Sequence, residues 1–315
     1  MKIVFHSFII ALFIVVIAGA CTQRDKKGKP LDTPTSGSIT IAVDESLKPL
    51  FDTEVDTFMG LYKRANIKVI YTSEAEAMTQ LLLDSVRLAI VTRKLESEEI
   101  ETFKAQAINK PRQVAVAKEG IALILNRSNQ DTTITITQLK DILTGKISKW
   151  NQLDPKGKAT PIEIVFDQPT SGILRYLKDS LAINSLPANC FAVNNNPAVV
   201  DYVTKKENAI GLIGVSWISD DDDSTANVFK NTVRIAELSN DGVEYFKPYQ
   251  AYIAQKNYPL VREITMISRE TRTGLGSGFI AFVAGEKGQR MILKAGLVPV
   301  TMPVRIVEIN RQPLF

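Results

Sequence analysis

Strand-like and helix-like patterns alternate early in the chain, and this alternation constrains the fold more than any other feature. Two β-branched apolar runs, at 38–43 and 67–72, flank a segment from Pro49 to Ala65 whose apolar residues recur at helical spacing. A second helical pattern, from Ala75 to about Ser85, precedes the apolar run 88–92. A β-α-β-α-β order is typical of parallel strands with helices packed on the faces of the sheet. The sequence therefore predicts an α/β protein.

A long, nearly continuous apolar run over residues 112–126 interrupts this alternation and is divided at Lys118-Glu119-Gly120. Two successive strands, or one strand that crosses between two packed units, would produce this pattern. The run 249–255 (YQAYIAQ) is a second strand-like candidate for a crossing. We therefore predict two α/β lobes with mixed sheets, joined by two hinge strands. Lobe 1 is predicted over residues 38–120 and 250–315, and lobe 2 over residues 121–249.

The remaining patterns continue the alternation. An amphipathic helix is predicted between its N-cap, Thr137, and Gly145, and a last long helix from about Ser277 to Ala295. The other predicted elements are strands at 162–166, 209–217 and 232–238 and helices at 172–181 and 197–206.

Residues 1–21 have the pattern of a bacterial lipoprotein leader. Lys2 precedes an apolar run from Ile3 to Ile17, and Cys21 follows three small residues. We expect lipid attachment at Cys21 and anchoring to a bacterial membrane through that lipid. The outer membrane is favoured, because Thr22 rather than an aspartate follows the cysteine. An ordinary signal peptide and a membrane anchor are the alternatives.

Residues 22–37 are polar, rich in proline, glycine and charge, and lack periodicity. This composition predicts a flexible tether between the leader and the folded lobes.

Composition excludes several classes of function. The one histidine, His6, lies inside the predicted leader, so the mature chain has no imidazole for a Ser-His triad, a general base or a zinc site. The formal net charge is +4 with the basic residues scattered, which does not favour a nucleic-acid partner. With Cys21 lipidated, Cys190 has no disulfide partner and is expected to be a core residue. We expect no metal and no cofactor.

A strand-like run at 162–166 leads into the stretch DQPTSGILRY at 167–176. Thr170, Ser171 and Gly172 stand directly before a helical pattern. Such residues can cap the helix. They can also direct N–H groups and hydroxyls of the helix N-terminus at an anion, with glycine permitting close approach. The residues alone leave both readings open.

Several segments, in the same order and at similar spacing from about residue 38 to 300, resemble the periplasmic phosphate-binding proteins of ABC transporters, which have the type II solute-binding fold. The segment LKDILTGKISKWNQL (139–153) is similar to the "IFTGKITNW" segment of that family, and PTSG (169–172) stands at the place of its Ser-Gly-Thr phosphate loop. The other similar segments are GIALILN (120–126), AIGLIG (209–214), YPLVREI (258–264) and GFIAFVAGEKGQRMILKAGLVPV (278–300).

The resemblance implies that PTSG begins a helix that faces a cleft between the lobes, where a small oxyanion binds. It also implies that loops after the first three strands face the same cleft. Arg175, one turn into the helix, could return a guanidinium to the site or lie on the surface, and the pair Thr72 and Ser73 could equally be an N-cap. The candidate ligand-binding residues are Ser46, Leu47 through its amide, Thr72, Ser73, Thr92, Arg93, Thr170, Ser171, Gly172 and Arg175.

The chain departs from the family pattern at the candidate site. Asp167 stands where the family usually has an arginine, Ile173 replaces a threonine, and Thr92 replaces an aspartate found in some phosphate binders. Asp44 and Glu45 add acids to the first loop. Loss of a bidentate arginine is expected to weaken oxyanion binding, and a carboxylate facing the cleft would repel a dianion. Pairing of Asp44 or Asp167 with Arg93 or Arg175 would relieve this repulsion.

These features predict a monomeric, lipid-anchored solute-binding protein that captures a small oxyanion, most plausibly inorganic phosphate, for an ABC transporter permease. A binding-fold sensor or surface adaptor with an altered ligand is the alternative that the acidic departures favour. A hydrolase using Ser171 is disfavoured, because TSGILR is not a G-x-S-x-G elbow and Lys178 lies two turns along the same helix.

Overall fold

The computed structural model describes residues 32–155 and 159–304. The predicted leader, including Cys21, and residues 22–31 of the predicted tether lie outside the described residues. The first described strand begins at Ser36, inside the range predicted as tether, and Asp32 Oδ1 accepts a hydrogen bond from Leu275 N (2.9 Å).

Strands and helices alternate through most of the described chain. The strands are β1 (Ser36–Asp44), β2 (Arg64–Thr72), β3 (Leu88–Val91), β4 (Arg112–Asn126), β5 (Thr133–Thr135), β6 (Glu163–Phe166), β7 (Cys190–Ala192), β8 (Ala209–Gly214), β9 (Val233–Ile235), β10 (Glu237–Ser239), β11 (Val261–Ser268) and β12 (Val298–Pro299). The helices are α1 (Lys48–Leu61), α2 (Glu74–Leu82), α3 (Ser97–Ala105), α4 (Ile136–Leu143), α5 (Gly172–Leu181), α6 (Asn196–Lys205), α7 (Ser224–Thr232), α8 (Gln250–Ala254), α9 (Leu275–Val283) and α10 (Glu286–Lys294).

The main sheet runs in the order β2-β1-β3-β11-β4-β8-β6-β7. β1 is parallel to β2 and β3, and β6 is parallel to β7 and β8, which confirms the predicted α/β class with mixed sheets. β4 belongs to both halves of the sheet: its residues 112–120 pair with β11 and residues 121–125 pair with β8. The long apolar run is therefore a single strand that crosses between the lobes.

Separate apolar cores lie on the two sides of this crossing. One core of lobe 1 contains Ile41 and Phe51, whereas one core of lobe 2 contains Leu123 and Ile164. Tyr258 belongs to the core of lobe 2, but Ile264 belongs to that of lobe 1. The predicted division of the lobes at residue 250 stays a prediction, and this packing favours a second crossing closer to Val261.

The prediction of a strand at 249–255 is wrong, because this segment forms helix α8. Tyr249, Tyr252 and Ile253 follow helical spacing, whereas strand spacing would place Tyr249, Ala251 and Ile253 on one face; Ile253 is the buried one. The turn that follows contains Lys256 at φ +65° and returns the chain towards β11. Helix α8 and this turn thus lead the chain to β11, whose residues pair with β3 and with residues 112–120 of β4.

Smaller differences have local causes. The last long helix is divided into α9 and α10 at Ala284 and Gly285, where Gly285 is the extended N-cap of α10. Gly288 packs closely on the backbone of Val283, where an added Cβ would lie 2.5 Å from its Cα. Helix α4 begins after Thr135, not Thr137, since Thr135 and Gln138 form a capping box. Within the described ranges, no helix combines the length and apolarity required for a membrane crossing.

Candidate functional site

The cleft lies where loops after β1, β2 and β3 of lobe 1 meet the N-termini of α5 and α6 in lobe 2. Carboxyl ends of parallel strands in an α/β sheet are where such sites form. Two contacts join the loops directly: Gly172 N donates to Asp44 Oδ2 (3.0 Å), and Thr170 Oγ1 donates to Ser73 Oγ (2.9 Å). The PTSG segment therefore faces lobe 1, as predicted.

Helix α5 begins with the predicted cap. Ser171 is the N-cap, and its Oγ accepts a hydrogen bond from Leu174 N (3.3 Å). A Cβ on Gly172 would lie 2.5 Å from Thr92 Oγ1, 2.6 Å from Asp44 Oδ2 and 2.7 Å from Glu74 Oε2. A larger residue would push these oxygens aside, because side-chain oxygens of three lobe 1 residues converge on the helix N-terminus. Ser171 therefore caps the helix, and the Gly172 N–H donates to an anion, which is the carboxylate of Asp44.

Asp44 uses its oxygens on different lobes. Its Oδ1 accepts hydrogen bonds from Ser46 N (2.9 Å) and Ser46 Oγ (2.5 Å), both in lobe 1. Its Oδ2 accepts from Gly172 N in lobe 2. The side chain is fully buried, and burial raises the pKa of this carboxyl, although the nearby Arg262 guanidinium counteracts the rise.

Glu74, the first residue of α2, divides its oxygens in the same way. Its Oε2 accepts hydrogen bonds from Thr92 N (2.7 Å) and Thr92 Oγ1 (2.6 Å) in lobe 1. Its Oε1 accepts from Arg175 Nε in lobe 2, and Arg175 Nη2 donates onward to Thr92 O (3.0 Å). Burial alone would raise the pKa of Glu74, but Arg175 and the Thr92 donors lower it below its ordinary value. Glu74 is therefore an ionised partner of Arg175 at neutral pH.

The second helix N-terminus of lobe 2 also receives an acid from lobe 1. Glu45 Oε2 accepts hydrogen bonds from Asn196 N (3.2 Å) and Asn196 Nδ2 (2.7 Å) at the start of α6. Burial raises the pKa of Glu45, and the Asn196 donors partly offset the rise. Carboxylates of the β1 loop thus lie at the N-termini of both α5 and α6, where the helix dipole favours negative charge.

Asp167 is the least satisfied acid of the cleft. Its Oδ2 lies 3.4 Å from Asn196 Nδ2, and its buried Oδ1 has no hydrogen-bond partner within the described residues. Burial, with the charge of Asp44, raises the pKa of Asp167 to about 7. Neither Arg93 nor Arg175 is hydrogen-bonded to Asp44 or Asp167, so the pairing proposed from the sequence is wrong. Both arginines bind glutamates instead.

A buried ion pair lies beneath the cleft at the crossing strands. Arg262 on β11 and Glu119 on β4 are register partners, and Arg262 Nη2 lies 2.7 Å from Glu119 Oε2. The same Nη2 donates to Ser46 Oγ (2.8 Å), while Glu119 Oε1 accepts from Ser216 N (3.0 Å) of lobe 2. Ser216 Oγ donates to Ser46 O (3.1 Å). The Arg262–Glu119 pair therefore connects β11 and β4 to Ser46 of lobe 1 and to Ser216 of lobe 2.

The structure brings most of the predicted site residues together. Ser46, Thr92, Gly172 and Arg175 contact the carboxylates directly, and Ser73 and Thr170 contact each other across the cleft. Thr72 ends β2, where its register partner is Asp44. Whether these residues touch a solute stays a prediction.

Two of the predicted site residues have their main contacts outside the cleft. Arg93 binds Glu99 through both terminal nitrogens (2.6 and 2.7 Å), which braces its own loop, and its Nε lies 3.8 Å from Glu74 Oε1. The Leu47 side chain packs in the core of lobe 1. Leu47 can contribute its amide alone.

Sequence reasoning missed Glu74, Asn196, Arg262 and Glu119. Glu74 and Asn196 directly precede the helices predicted from Ala75 and Pro197, and neither was assigned a role. A charged residue inside an apolar strand was the available signal for Arg262 and Glu119, since such a residue is buried only when it is paired.

Comparison with characterised proteins agrees with this architecture. The chain is 26% identical over 299 residues to the phosphate-binding protein PstS of Bacillus subtilis (strain 168), covering 93% of this chain and 92% of that protein. It is 22% identical to the phosphate-binding protein PstS of Pseudomonas aeruginosa (strain PAO1), covering 87% of this chain and 85% of that one.

Solved structures show the same fold. A putative phosphate ABC transporter substrate-binding protein from Clostridium perfringens, solved with bound phosphate, superposes with a TM-score of 0.71 at 24% identity, covering 84% of this chain and 100% of that one. An ABC-type phosphate transport receptor from Vibrio cholerae superposes with a TM-score of 0.64 at 20% identity, with 84% and 100% coverage. The two-lobed fold is therefore confirmed.

A family model described as a PBP superfamily domain matches residues 29–287. This range reaches from before β1 to the start of α10 and contains the PTSG segment and every cleft residue described above. Because the match spans well over half of the sequence, the chain belongs to the PBP superfamily.

Proposed function

We propose that the chain is a substrate-binding protein of an ABC-type phosphate transporter, which holds a small oxyanion, inorganic phosphate in the first instance, between its lobes. The names of its relatives and its superfamily membership support this function. Such a protein needs two lobes that close on a solute touching both of them.

One observation within the cleft carries the proposal. Hydrogen-bond donors from both lobes converge on carboxylate oxygens at the N-terminus of α5: Ser46 and Thr92 from lobe 1, and Gly172 from lobe 2. Backbone N–H groups, hydroxyls and a guanidinium are the groups that bind phosphate oxygens in proteins. A site that holds carboxylate oxygens in this way has the chemistry to hold phosphate oxygens when those carboxylates move away.

The remaining parts of the proposal come from the sequence. Lipid attachment at Cys21 would keep the monomeric chain at a membrane surface, with the outer membrane favoured, and closed lobes would present the solute to a permease. The function requires no bond to be made or broken in the solute. The relatives named above are binding proteins, and we propose that this chain is likewise not an enzyme.

Isothermal titration of the mature chain, residues 22–315, with phosphate and separately with sulfate tests the function. We expect saturable binding of phosphate, selective over sulfate, that is lost in Ser171→Ala because the cap orienting the α5 N-terminus is removed. Ser180→Ala, at the exposed far end of the same helix, is the control and is expected to bind as the wild type does.

Absence of binding heat with phosphate would contradict the transport proposal. A second function then stands: a sensor or surface adaptor that keeps the binding fold. The specific observation in its favour is that Asp44, Glu45 and Glu74 already occupy the cleft donors.

A further inference from the structure

We infer that Asp44 and Glu74 form a carboxylate bridge: an internal occupant of the oxyanion site that closes the lobes on one another without a solute, and that any solute must displace. Closure by the bridge does not depend on the proposed function. Displacement by phosphate does rest on it.

The first argument is the division of oxygens. Asp44 binds Ser46 of lobe 1 through Oδ1 and Gly172 of lobe 2 through Oδ2. Glu74 binds Thr92 of lobe 1 through Oε2 and Arg175 of lobe 2 through Oε1. A solute that drives closure must contact both lobes at once, because only differential contacts can favour the closed form. Each carboxylate of the bridge satisfies this requirement by itself.

The second argument is space. The atoms nearest to a Cβ built on Gly172 are Thr92 Oγ1, Asp44 Oδ2 and Glu74 Oε2, all within 2.7 Å. Asp44 and Glu74 are buried, so the position in front of the helix N-terminus is filled by protein oxygens. An external oxyanion can reach the Gly172 N–H only after these oxygens withdraw.

The third argument is charge. Asp44, Glu45, Glu74 and Asp167 are all buried within the cleft, and Arg175 is the guanidinium that crosses from lobe 2 to meet them. Arg262 lies below and is paired with Glu119. A dianion bound beside these acids would be repelled by their charges, and this repulsion is strong at low dielectric. A dianion that takes the place of the carboxylates avoids this repulsion. The competition is therefore direct: one oxyanion replaces another.

A plain helix-capping role for these acids would not produce the same contacts. Ser171 already caps α5, and Ser73 caps α2. Asp44 and Glu74 reach their lobe 2 partners across 128 and 101 residues of sequence. Because their bonds cross the cleft, the bonds exist only when the lobes are closed.

The test measures lobe closure of the mature chain in buffer free of phosphate and sulfate. Small-angle X-ray scattering reports the overall compactness, and hydrogen exchange of the peptide 167–176 reports protection of the α5 N-terminus. The variant is Asp44→Asn/Glu74→Gln, which keeps side-chain size and removes both charges. The control, Asp56→Asn/Glu98→Gln, removes two charges from exposed positions of lobe 1.

We expect the wild type and the control to scatter as the closed form and to protect this peptide. We expect the double variant to be less compact, with exchange at least about tenfold faster. A wild type that is open in solute-free buffer would overturn the inference, as would a folded double variant as closed as the control. An open wild type overturns the inference even if the double variant does not fold; for a closed wild type, the single variants Asp44→Asn and Glu74→Gln then replace the double variant in both measurements.

Titration of the same proteins with phosphate separates the two proposals. Weak binding by the wild type and stronger binding by the double variant would support both the bridge and the phosphate function. A closed wild type, an opening variant and no phosphate heat in either would leave the bridge standing and contradict the phosphate function. An open wild type that binds phosphate would contradict the bridge and support the phosphate function.

Discussion

Apart from the buried Asp167 of lobe 2, the two faces of the cleft differ in the sign of the charge that they present. Lobe 1 presents carboxylates of Asp44, Glu45 and Glu74, whereas lobe 2 presents the N-termini of α5 and α6 and the guanidinium of Arg175. Helix N-termini and arginine attract anions, so the lobe 2 face has the chemistry of an oxyanion site. The lobe 1 face has the chemistry of an oxyanion. The molecule is thus complementary to itself across its own cleft.

The donors of lobe 1 make the contrast sharper. Ser46 and Thr92 stand on the loops that the family resemblance assigns to solute binding, yet both donate to carboxylates of their own lobe. Their hydrogen bonds hold Asp44 and Glu74 in position for the partners in lobe 2. Lobe 1 therefore uses its anion donors to orient its own anions, and lobe 2 leaves its donors to be satisfied from across the cleft.

The largest expected effect comes from the ion pair beneath both faces. Arg262→Met leaves the fully buried Glu119 without its guanidinium, which is expected to lower the free energy of unfolding by about 3–5 kcal/mol. Urea denaturation of the mature chain measures this. The double variant Arg262→Met/Glu119→Leu removes both charges and is expected to recover most of the loss; a single variant as stable as the wild type would contradict the role of the pair.

Crowding of the faces is tested by Gly172→Ala. Its new Cβ would lie within 2.7 Å of oxygens from Thr92, Asp44 and Glu74, so we expect a loss of up to about 3 kcal/mol in the free energy of unfolding. Gly60→Ala is the matched control, because nothing lies within 4 Å of the corresponding Cβ near the end of α1. The control is expected to gain up to about 1 kcal/mol. Equal effects of both variants would mean that the faces are not in contact.

Asp167 of lobe 2, whose Oδ1 has no hydrogen-bond partner within the described residues, makes the free energy of unfolding depend on pH. Because burial raises the pKa of Asp167 to about 7 in the folded protein, from 3.8 as the ordinary value, the folded state holds its proton more tightly than the unfolded state. The contribution of Asp167 to stability is therefore present at low pH and is lost as pH rises through about 7.

Comparing Asp167→Asn with the wild type at pH 5 and pH 8 isolates this contribution. We expect the wild type to lose about 2 kcal/mol more than the variant between these values, measured by urea denaturation. Asp201→Asn, at an exposed position of α6, is expected to follow the wild type. Parallel behaviour of Asp167→Asn and the wild type would mean that Asp167 is ionised throughout.

The smallest expected effect concerns the hydroxyl contact at the rim. Thr170→Val removes the donor that reaches Ser73 Oγ across the cleft while keeping the shape of the side chain. Since the contact is partly exposed, we expect a loss of about 0.5 kcal/mol, measured as a small decrease in the denaturation midpoint. A loss several times larger would show that uncharged contacts, and not the carboxylates, hold the two faces together.

Local patterns were sufficient to predict most of the elements. Helix α5 is observed over the predicted residues 172–181, and β4 covers the predicted run 112–126, because apolar periodicity and capping residues act within a few positions along the chain. The same kind of reasoning failed at 249–255, where two periods fit one short segment and packing of Ile253 decided for a helix.

The acids of the cleft show where local reasoning ends. Asp44, Glu45 and Asp167 were recognised as unusual by resemblance, but the arginine partners considered for Asp44 and Asp167 were wrong. Glu74 was overlooked because a glutamate in the first turn of a helix has a sufficient local explanation. Its contact with Arg175 joins residues 101 positions apart, which no local pattern reports.

By itself, the sequence determined that this protein has alternating strands and helices, a long apolar run at 112–126 and a helix over residues 172–181. These properties depend on hydrophobic spacing and on capping chemistry, both of which are short-range. Only the tertiary structure decided which anion faces that N-terminus. Closure of the lobes brings Asp44 to Gly172 across 128 residues, and burial makes such a contact obligatory, because a carboxylate removed from water must find its donors inside the protein.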